Sequence, residues 1–284
     1  MVSIVISVFN VAPYVEKCIN SCLKQTYKDI ELIVVEDCST DNSLQLVEEL
    51  SKTDERIRII RHEVNEGAGK SRKDGIESAK GDFVITIDSD DWVSENFIEA
   101  LVKRQEETDA DIVSGGITII YSTGRIKSEV FGEKISEGSQ KLIDYNDGTI
   151  IFLNNKLVRK SLYDIVPYST RRFCEDTPVI IPLLYHANRL AYCNNPGYYY
   201  LQRDGSLCHT VSLVEQNVCK GLCAFELIEY FKDKDKDDFN KLLNANLVKP
   251  YVEFLRHNNF TKEDIKNVKD EFCEFGIHLL KFLQ

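Results

Sequence analysis

The chain has 284 residues, 43% of them hydrophobic and 29% charged, with a formal net charge of −11. This is an ordinary globular composition, with room for one large domain or for one domain carrying an appendage. The negative balance excludes a general nucleic-acid binder, which needs a basic face to release counterions, but not an anionic substrate held through a local cation.

Met1 to Val8 is apolar, lacks a basic leader and a small-residue cleavage site, and reads as a first strand rather than a signal peptide. No apolar run has the length to span a bilayer, so a cytoplasmic location is expected. Pro13 opens a helical pattern in which Val15, Cys18, Ile19, Cys22 and Leu23 share one face. Nine cysteines without a Cys-x-x-Cys pair give no zinc spacing, and the pairs Cys18/Cys22 and Cys219/Cys223 read as small buried hydrophobes of a reducing compartment. Ile30 to Val35 is a second strand, ending in Glu36-Asp37. Asp41 or Ser43 is placed to cap the next helix, whose face carries Leu44, Val47 and Leu50. Arg56 to Ile60 is a third strand. Asn65 and Gly67 mark a turn into a helix running to about Ala79, and Gly81 precedes a fourth strand from Phe83. This alternation predicts βαβ units and a parallel sheet, in which ligands bind beyond the carboxyl ends of the strands. Phe9-Asn10, Glu36-Asp37, Asn65-Glu66-Gly67 and Asp88-Ser89-Asp90 all fall there.

Further on, Glu95 to Gln105 reads as a helix and Asp111 to Tyr121 as a strand. Ser122-Thr123-Gly124 is a hairpin turn into Arg125 to Phe131. Loops and two short helices are expected from there to about residue 170. Asp176 or Thr177, followed by Pro178, starts a helix through Ile181, Leu184 and Tyr185. Leu190 to Cys193 and Gly197 to Leu201 are short strands. Val211 to Phe231, Asp237 to Arg256 and Thr261 to Leu283 are amphipathic helical stretches, which serve as a packed extension, a homo-oligomer surface or a peripheral membrane contact. The division expected is a first domain over 1–210, with halves 1–115 and 116–210, and a helical C-terminal extension over 211–284.

The run Phe83-Val84-Ile85-Thr86-Ile87 ends in Asp88-Ser89-Asp90-Asp91-Trp92, three carboxylates within four residues. If the extended geometry persists, Asp88 and Asp90 point the same way. Their mutual repulsion calls for a hard divalent cation, Mg²⁺ or Mn²⁺; a plainer reading is acids favouring the dipole of a following helix. Gly67-Ala68-Gly69-Lys70-Ser71 resembles part of a P-loop, but the first required glycine falls on Val64. No dinucleotide fingerprint follows the first strand. A metal-dependent phosphatase would place its paired aspartates at that strand, where this chain has none.

In order and spacing, Val2 to Asn10, Val34 to Asp41, Asn65-Glu66-Gly67 with Arg72, and Gly81 to Asp91 resemble the family-2 glycosyltransferases of the GT-A fold. The resemblance is dense over roughly the first 115 residues. It resumes at Phe173-Cys174-Glu175-Asp176 and from Tyr198-Tyr199-Tyr200 through Arg203 and Ser206. The chain departs at Ser7, Glu36 and Cys38, where Pro, Asp and Gly are common.

The resemblance implies a GT-A, Rossmann-like α/β fold with a mainly parallel sheet flanked by helices. It also implies inverting transfer of a sugar from a nucleoside diphosphate, most often UDP, to an acceptor hydroxyl of a glycan or lipid-linked acceptor in bacterial surface-glycan synthesis. The setting implied is the cytoplasm, or the inner face of the membrane. On this reading Val8 and Phe9 border the uracil and Asp37 meets its edge. Asn65 and Arg72 lie near the base or diphosphate, and Asp88 and Ser89 lie on the ribose side. Asp90, with Asp88, holds Mn²⁺ or Mg²⁺, and His209 completes the metal or diphosphate site. Asp176 is the general base, with Glu175 in reserve, although Asp176-Thr177-Pro178 also reads as a helix cap. A non-catalytic nucleotide-sugar binder is the alternative that dispenses with Asp176.

Overall fold

The computed structural model describes residues 1–138, 140–141, 152–169, 174–203, 206, 223, 226, 227, 230, 231 and 234. The N-terminal half follows the alternation read from the sequence: β1 (Val2–Val8), α1 (Ala12–Leu23), β2 (Ile30–Glu36), α2 (Ser43–Ser51), β3 (Ile57–Arg61), α3 (Ala68–Ser78) and β4 (Phe83–Asp88). β3, β2, β1 and β4 pair in parallel in that order. β1 lies between two neighbours, and its β-branched residues are buried on both faces. Ile4, Ile6 and Val8 share one core with Val15, Cys18 and Cys22 of α1. Val5 faces the other core, with Ile33, Val35 and Ile76 of α3. The period-2 alternation of a strand divides these residues between two helical layers. Gly75 allows α3 to lie close, because a Cβ there would stand 2.3 Å from Val5 Cγ1.

Beyond β4 the chain runs through β5 (Trp92–Val93), α4 (Phe97–Thr108), β6 (Ile112–Ser114), β7 (Ile117–Ile120), β8 (Ile126–Glu129) and β9 (Ile135–Glu137). It continues with β10 (Lys156–Arg159), α5 (Lys160–Tyr163), α6 (Thr177–His186), β11 (Arg189–Tyr192) and β12 (Tyr198–Leu201). The sheet is mixed: its first four strands are parallel, as are β6 and β11, while β10 and β9 pair antiparallel with their neighbours. β10 enters antiparallel between β4 and β6, and the full order is β3-β2-β1-β4-β10-β6-β11-β9. The region up to 170, expected as loops and two short helices, contributes two strands, β9 and β10, besides the helix Lys160–Tyr163 and the helical residues Gln140 and Lys141. A four-residue strand flanked by polar residues carries too little periodicity to be read in advance.

The single strand expected over Asp111 to Tyr121 is two strands in different sheets, since β7 joins β5, β12 and β8. Gly115 and Gly116 make the break. A Cβ on the first would meet the Phe97 ring at 2.6 Å, and on the second the Glu129 carbonyl oxygen at 2.7 Å. The hairpin through Ser122-Thr123-Gly124 forms as read, with β7 and β8 antiparallel. No helix among the described residues is long and apolar enough to cross a membrane. His209 and nearly all of the three C-terminal helical stretches lie outside the described residues.

Candidate active site

Four loops gather at the carboxyl ends of the parallel strands. The first two are stitched together: the Asn10 side chain accepts from the Thr40 N–H (2.8 Å), and Ser43 Oγ accepts from the Val11 N–H (2.8 Å). Asp41, read as a cap for the following helix, accepts from the Ser43 N–H (2.9 Å) and also from the Ala12 N–H (3.0 Å), at the start of α1. Val8 is buried at the end of β1, and Phe9 beside it is 42% exposed.

Asp37, expected to meet a uracil edge, is held by protein groups at the end of β2. Its buried carboxylate accepts from the Glu66 N–H and the Gly67 N–H, both at 2.8 Å, and faces His62 Nδ1 at 2.7 Å. Three protein partners on a buried carboxylate make it the organiser of the 65–67 loop, including Gly67 at φ +92°. His62, to which the sequence assigned no role, is the centre of this clamp, with Nε2 3.0 Å from Asp74 Oδ2.

Arg72, expected near the base or diphosphate, is buried on α3 and joins three carboxylates, from the end of β4 and the start of α6. Nη1 donates to Asp176 Oδ1 (2.7 Å) and Glu175 Oε1 (3.0 Å), and Nη2 lies 3.4 Å from Asp88 Oδ1. Burial works against the guanidinium charge, but Asp176, Glu175 and Asp88 outweigh it and hold Arg72 protonated above its ordinary value. Burial pushes both acids of the Glu175/Asp176 pair upward, Glu175 to about 7, with Arg72 pulling each back down. Asp176 precedes the first turn of α6 but makes no side-chain capping hydrogen bond. Its side chain is turned to Arg72, which removes the plain helix-cap reading.

Asp88 ends β4, and the chain turns there, with the Asp91 N–H donating to the Asp88 carbonyl (3.0 Å). The extended alternation thus stops before Asp90, so Asp88 and Asp90 are not related by the period of a strand. Asp88 Oδ2 accepts from Asn154 Nδ2 at 2.7 Å. Ser89 is buried within the turn. Asp90 Oδ2 accepts from Arg203 Nε at 2.9 Å, and burial, reinforced by Asp88, pushes Asp90 up against the pull of Arg203. Asp91 supports the turn from the second sheet: Tyr198 Oη donates to it (2.7 Å) and accepts from the Asp88 N–H (3.2 Å), and the Leu201 N–H donates to its other oxygen (2.8 Å).

Among the described residues no group of three or more His, Cys, Asp or Glu side chains is arranged to hold a metal ion. Asp88 and Asp90 nonetheless supply hard oxygens from one turn. That donor set fits a Mg²⁺ or Mn²⁺ site of the kind that binds one or two carboxylates and fills its shell with substrate phosphates. Asn154 and Lys156, just before and at the start of β10, were not singled out from the sequence. Their only signal is an Asn-Asn-Lys triplet placed ahead of an apolar strand. Asn65 lies on the 65–67 loop.

Residues 3–166 match the family described as glycosyl transferase family 2. Glycosyltransferase GlyG of Streptococcus pneumoniae serotype 4 is 29% identical over 289 residues, spanning 95% of this chain and 93% of the relative. Glycosyltransferase EpsJ of Bacillus subtilis is 31% identical over 73% of this chain and 62% of its own length. A poly(ribitol-phosphate) beta-glucosyltransferase of Bacillus spizizenii is 29% identical over 95% of this chain, which spans 42% of that relative. Among solved structures, residues 1–349 of Staphylococcus aureus TarS in complex with UDP-GlcNAc superpose with a TM-score of 0.69 at 24% identity. That superposition covers 99% of this chain and 80% of the other, a likeness of fold.

Proposed function

Because the chain belongs to glycosyl transferase family 2, we propose that this glycosyltransferase moves a sugar from a UDP-sugar to an acceptor hydroxyl with inversion, in the synthesis of a bacterial surface glycan. The observation that carries the reading is the Arg72 bridge, which ties Asp88 at the end of β4 to Glu175 and Asp176 at the start of α6. An inverting displacement needs a donor site and a base on opposite sides of one reacting carbon. Carboxylates from the two halves of the chain, held by one guanidinium, are suited to that division.

In this proposal the donor lies across the loops at the carboxyl ends of β1 to β4. The Val8–Phe9 edge and the 65–67 loop, held by Asp37 and His62, form the base side. Asp88 and Ser89 face the ribose. Asp90, with Asp88, would hold Mn²⁺ or Mg²⁺, which when bound neutralises charge on the departing diphosphate. Asp176 takes the proton of the acceptor hydroxyl, and Glu175 tunes it through their shared guanidinium. The relative named for glucosylating poly(ribitol-phosphate) and the neighbour seen with UDP-GlcNAc support a UDP donor and a cell-surface acceptor. An acceptor that is lipid-linked on the cytoplasmic side of the membrane is compatible with this reading.

The test is a panel of UDP-sugars assayed for donor hydrolysis and transfer, with the anomeric configuration of the product read by NMR. Inverted product from a UDP-sugar is the expected result. Retained configuration, or no binding of any nucleoside diphosphate, overturns the proposal.

A further inference from the structure

Lys156 opens β10 with 1% of its surface exposed. Among the described residues its ammonium has no carboxylate within ion-pairing distance; it donates to the Phe152 carbonyl and to Asn155 Oδ1 (2.6 Å). A buried ammonium without a counter-ion is costly, and an unbranched apolar side chain would fill the same volume without that cost. A lysine kept in place of that apolar side chain therefore calls for a role.

Two features of its surroundings supply one. By gripping the Phe152 carbonyl, Lys156 closes the segment 152–156 into a turn, and that turn reaches both sides of the site. The Leu153 N–H points to Asp176 Oδ2 (3.4 Å), and Asn154 Nδ2 donates to Asp88 Oδ2 (2.7 Å). Asn155 pins the turn to the core through a reciprocal pair with Gly115 (2.8 and 2.9 Å). The second feature is charge balance, since Asp88, Glu175 and Asp176 converge on the single guanidinium of Arg72. Lys156 lies within electrostatic reach of that cluster, through Asp176.

We propose that Lys156 is a positioning residue for the transfer reaction, holding the 152–156 turn, with its Leu153 N–H and Asn154 amide, against Asp176 and Asp88. The inference rests on the assignment of Asp176 as the base. The groups that act on Asp176 are Arg72 from α3, Asp88 from the end of β4, Glu175 beside it, Tyr163 from α5 and Lys156 from β10. Burial lowers the Lys156 ammonium to about 7, and Asp176 opposes that fall. Each group thus stabilises the charged form of the other.

The experiment compares kcat/KM against pH for the wild type, Lys156→Met, Lys156→Arg and Asp176→Asn, with UDP affinity and thermal midpoint measured alongside. Lys156→Met is expected to stay folded, to lose roughly tenfold or more in kcat/KM with a smaller loss of UDP affinity, and to move the acid limb upward by about one pH unit. Lys156→Arg, which keeps a charge, is expected to return the acid limb toward the wild type. A Lys156→Met acid limb that coincides with the wild type overturns the inference, however much the rate falls. Should Lys156→Met fail to fold, Lys156→Gln against Lys156→Arg provides the same comparison, and equal acid limbs in that pair overturn it equally. Full activity in Asp176→Asn removes the base assignment itself. An inactive Asp176→Asn beside an unshifted Lys156→Met removes only the role of Lys156.

Discussion

Arg72 and Asp176 stand 104 positions apart in the chain and meet at 2.7 Å. The contact ties a helix packed on the parallel strands to the first turn of α6, so the two halves of the chain share one buried charge. Replacing Arg72 with Met strands Asp176, Glu175 and Asp88 without their cation, and breaking a buried ion pair from one side costs about 3–5 kcal/mol. Arg72→Lys is expected to recover little, because a single ammonium cannot reproduce the planar fork that reaches three acceptors. Denaturant midpoints of both variants check this, and a midpoint near the wild type in Arg72→Met would show that the bridge is not structural.

Asp176→Asn keeps the shape of the side chain and removes its ability to take a proton. Transfer is expected to fall about 10²–10⁴-fold, the range for loss of a positioned general base, while UDP binding is retained. Glu175→Gln is expected to cost less, since Glu175 acts on Asp176 through Arg72. Calorimetric UDP titration beside initial rates separates the two effects. Turnover unchanged in Asp176→Asn sends the search for the base elsewhere.

The pH dependence follows from burial. Glu175 is pushed from 4.5 to about 7, and Asp176 is raised as well. A base works only after losing its proton, so activity should rise with pH along an acid limb above the ordinary carboxylate range. The sign for stability is opposite. Between about 4.5 and 7 the unfolded chain releases the Glu175 proton while the folded protein keeps it, so this group's contribution to stability declines as pH rises through that window. Glu175→Gln should flatten that decline and leave Asp176 easier to ionise. Thermal midpoints against pH for the two proteins test it; parallel curves would contradict it.

What the sequence revealed and what it hid divide along physical lines. β1 to β4 were legible because β-branched runs alternate with amphipathic helices, and the functional side chains lie where each run stops. Asp37 and Arg72 were visible as residues but not as partners. A charged side chain at a strand end or on a helix faces either solvent or protein depending on what the distant chain brings to it. For Arg72 that is a pair of acids 103 and 104 positions away. β10 was hidden because four residues between polar neighbours carry no period, and Asn154 and Lys156 were hidden with it. The split at Gly115-Gly116 could have been read, since two adjacent glycines inside a strand pattern mark a bend or a close backbone approach.

Tyr198 connects the two sheets at the acidic turn, accepting from the Asp88 N–H and donating to Asp91. Burial, together with repulsion from Asp88 and Asp90, already pushes Asp91 well above its ordinary value. Tyr198→Phe leaves that buried carboxyl with the Leu201 N–H alone among these partners, at a cost of about 1–3 kcal/mol. Because the turn carries Asp88 and Asp90, UDP affinity should weaken along with stability. An unaltered midpoint with normal UDP binding would mean that the hydroxyl contributes nothing to the turn.

Arg203 holds Asp90 at 2.9 Å while its guanidinium lies 4.8 Å from the centre of the Tyr14 ring. The divalent cation proposed for Asp90 would need the same carboxylate, so the arginine would compete with it. Both side chains are about one-fifth exposed, and a partly solvated pair of this kind is worth roughly 1 kcal/mol. Arg203→Gln should therefore tighten Mn²⁺ about fivefold in the absence of donor, and Asp90→Asn should abolish that binding. Trp92, the one tryptophan of the chain, lies two residues from Asp90, so quenching of its fluorescence by paramagnetic Mn²⁺ reports occupancy directly. Chelation by EDTA should restore the fluorescence and stop transfer. If Arg203→Gln binds Mn²⁺ as the wild type does, the arginine does not guard the site. If Asp90→Asn still binds it, the metal is held elsewhere.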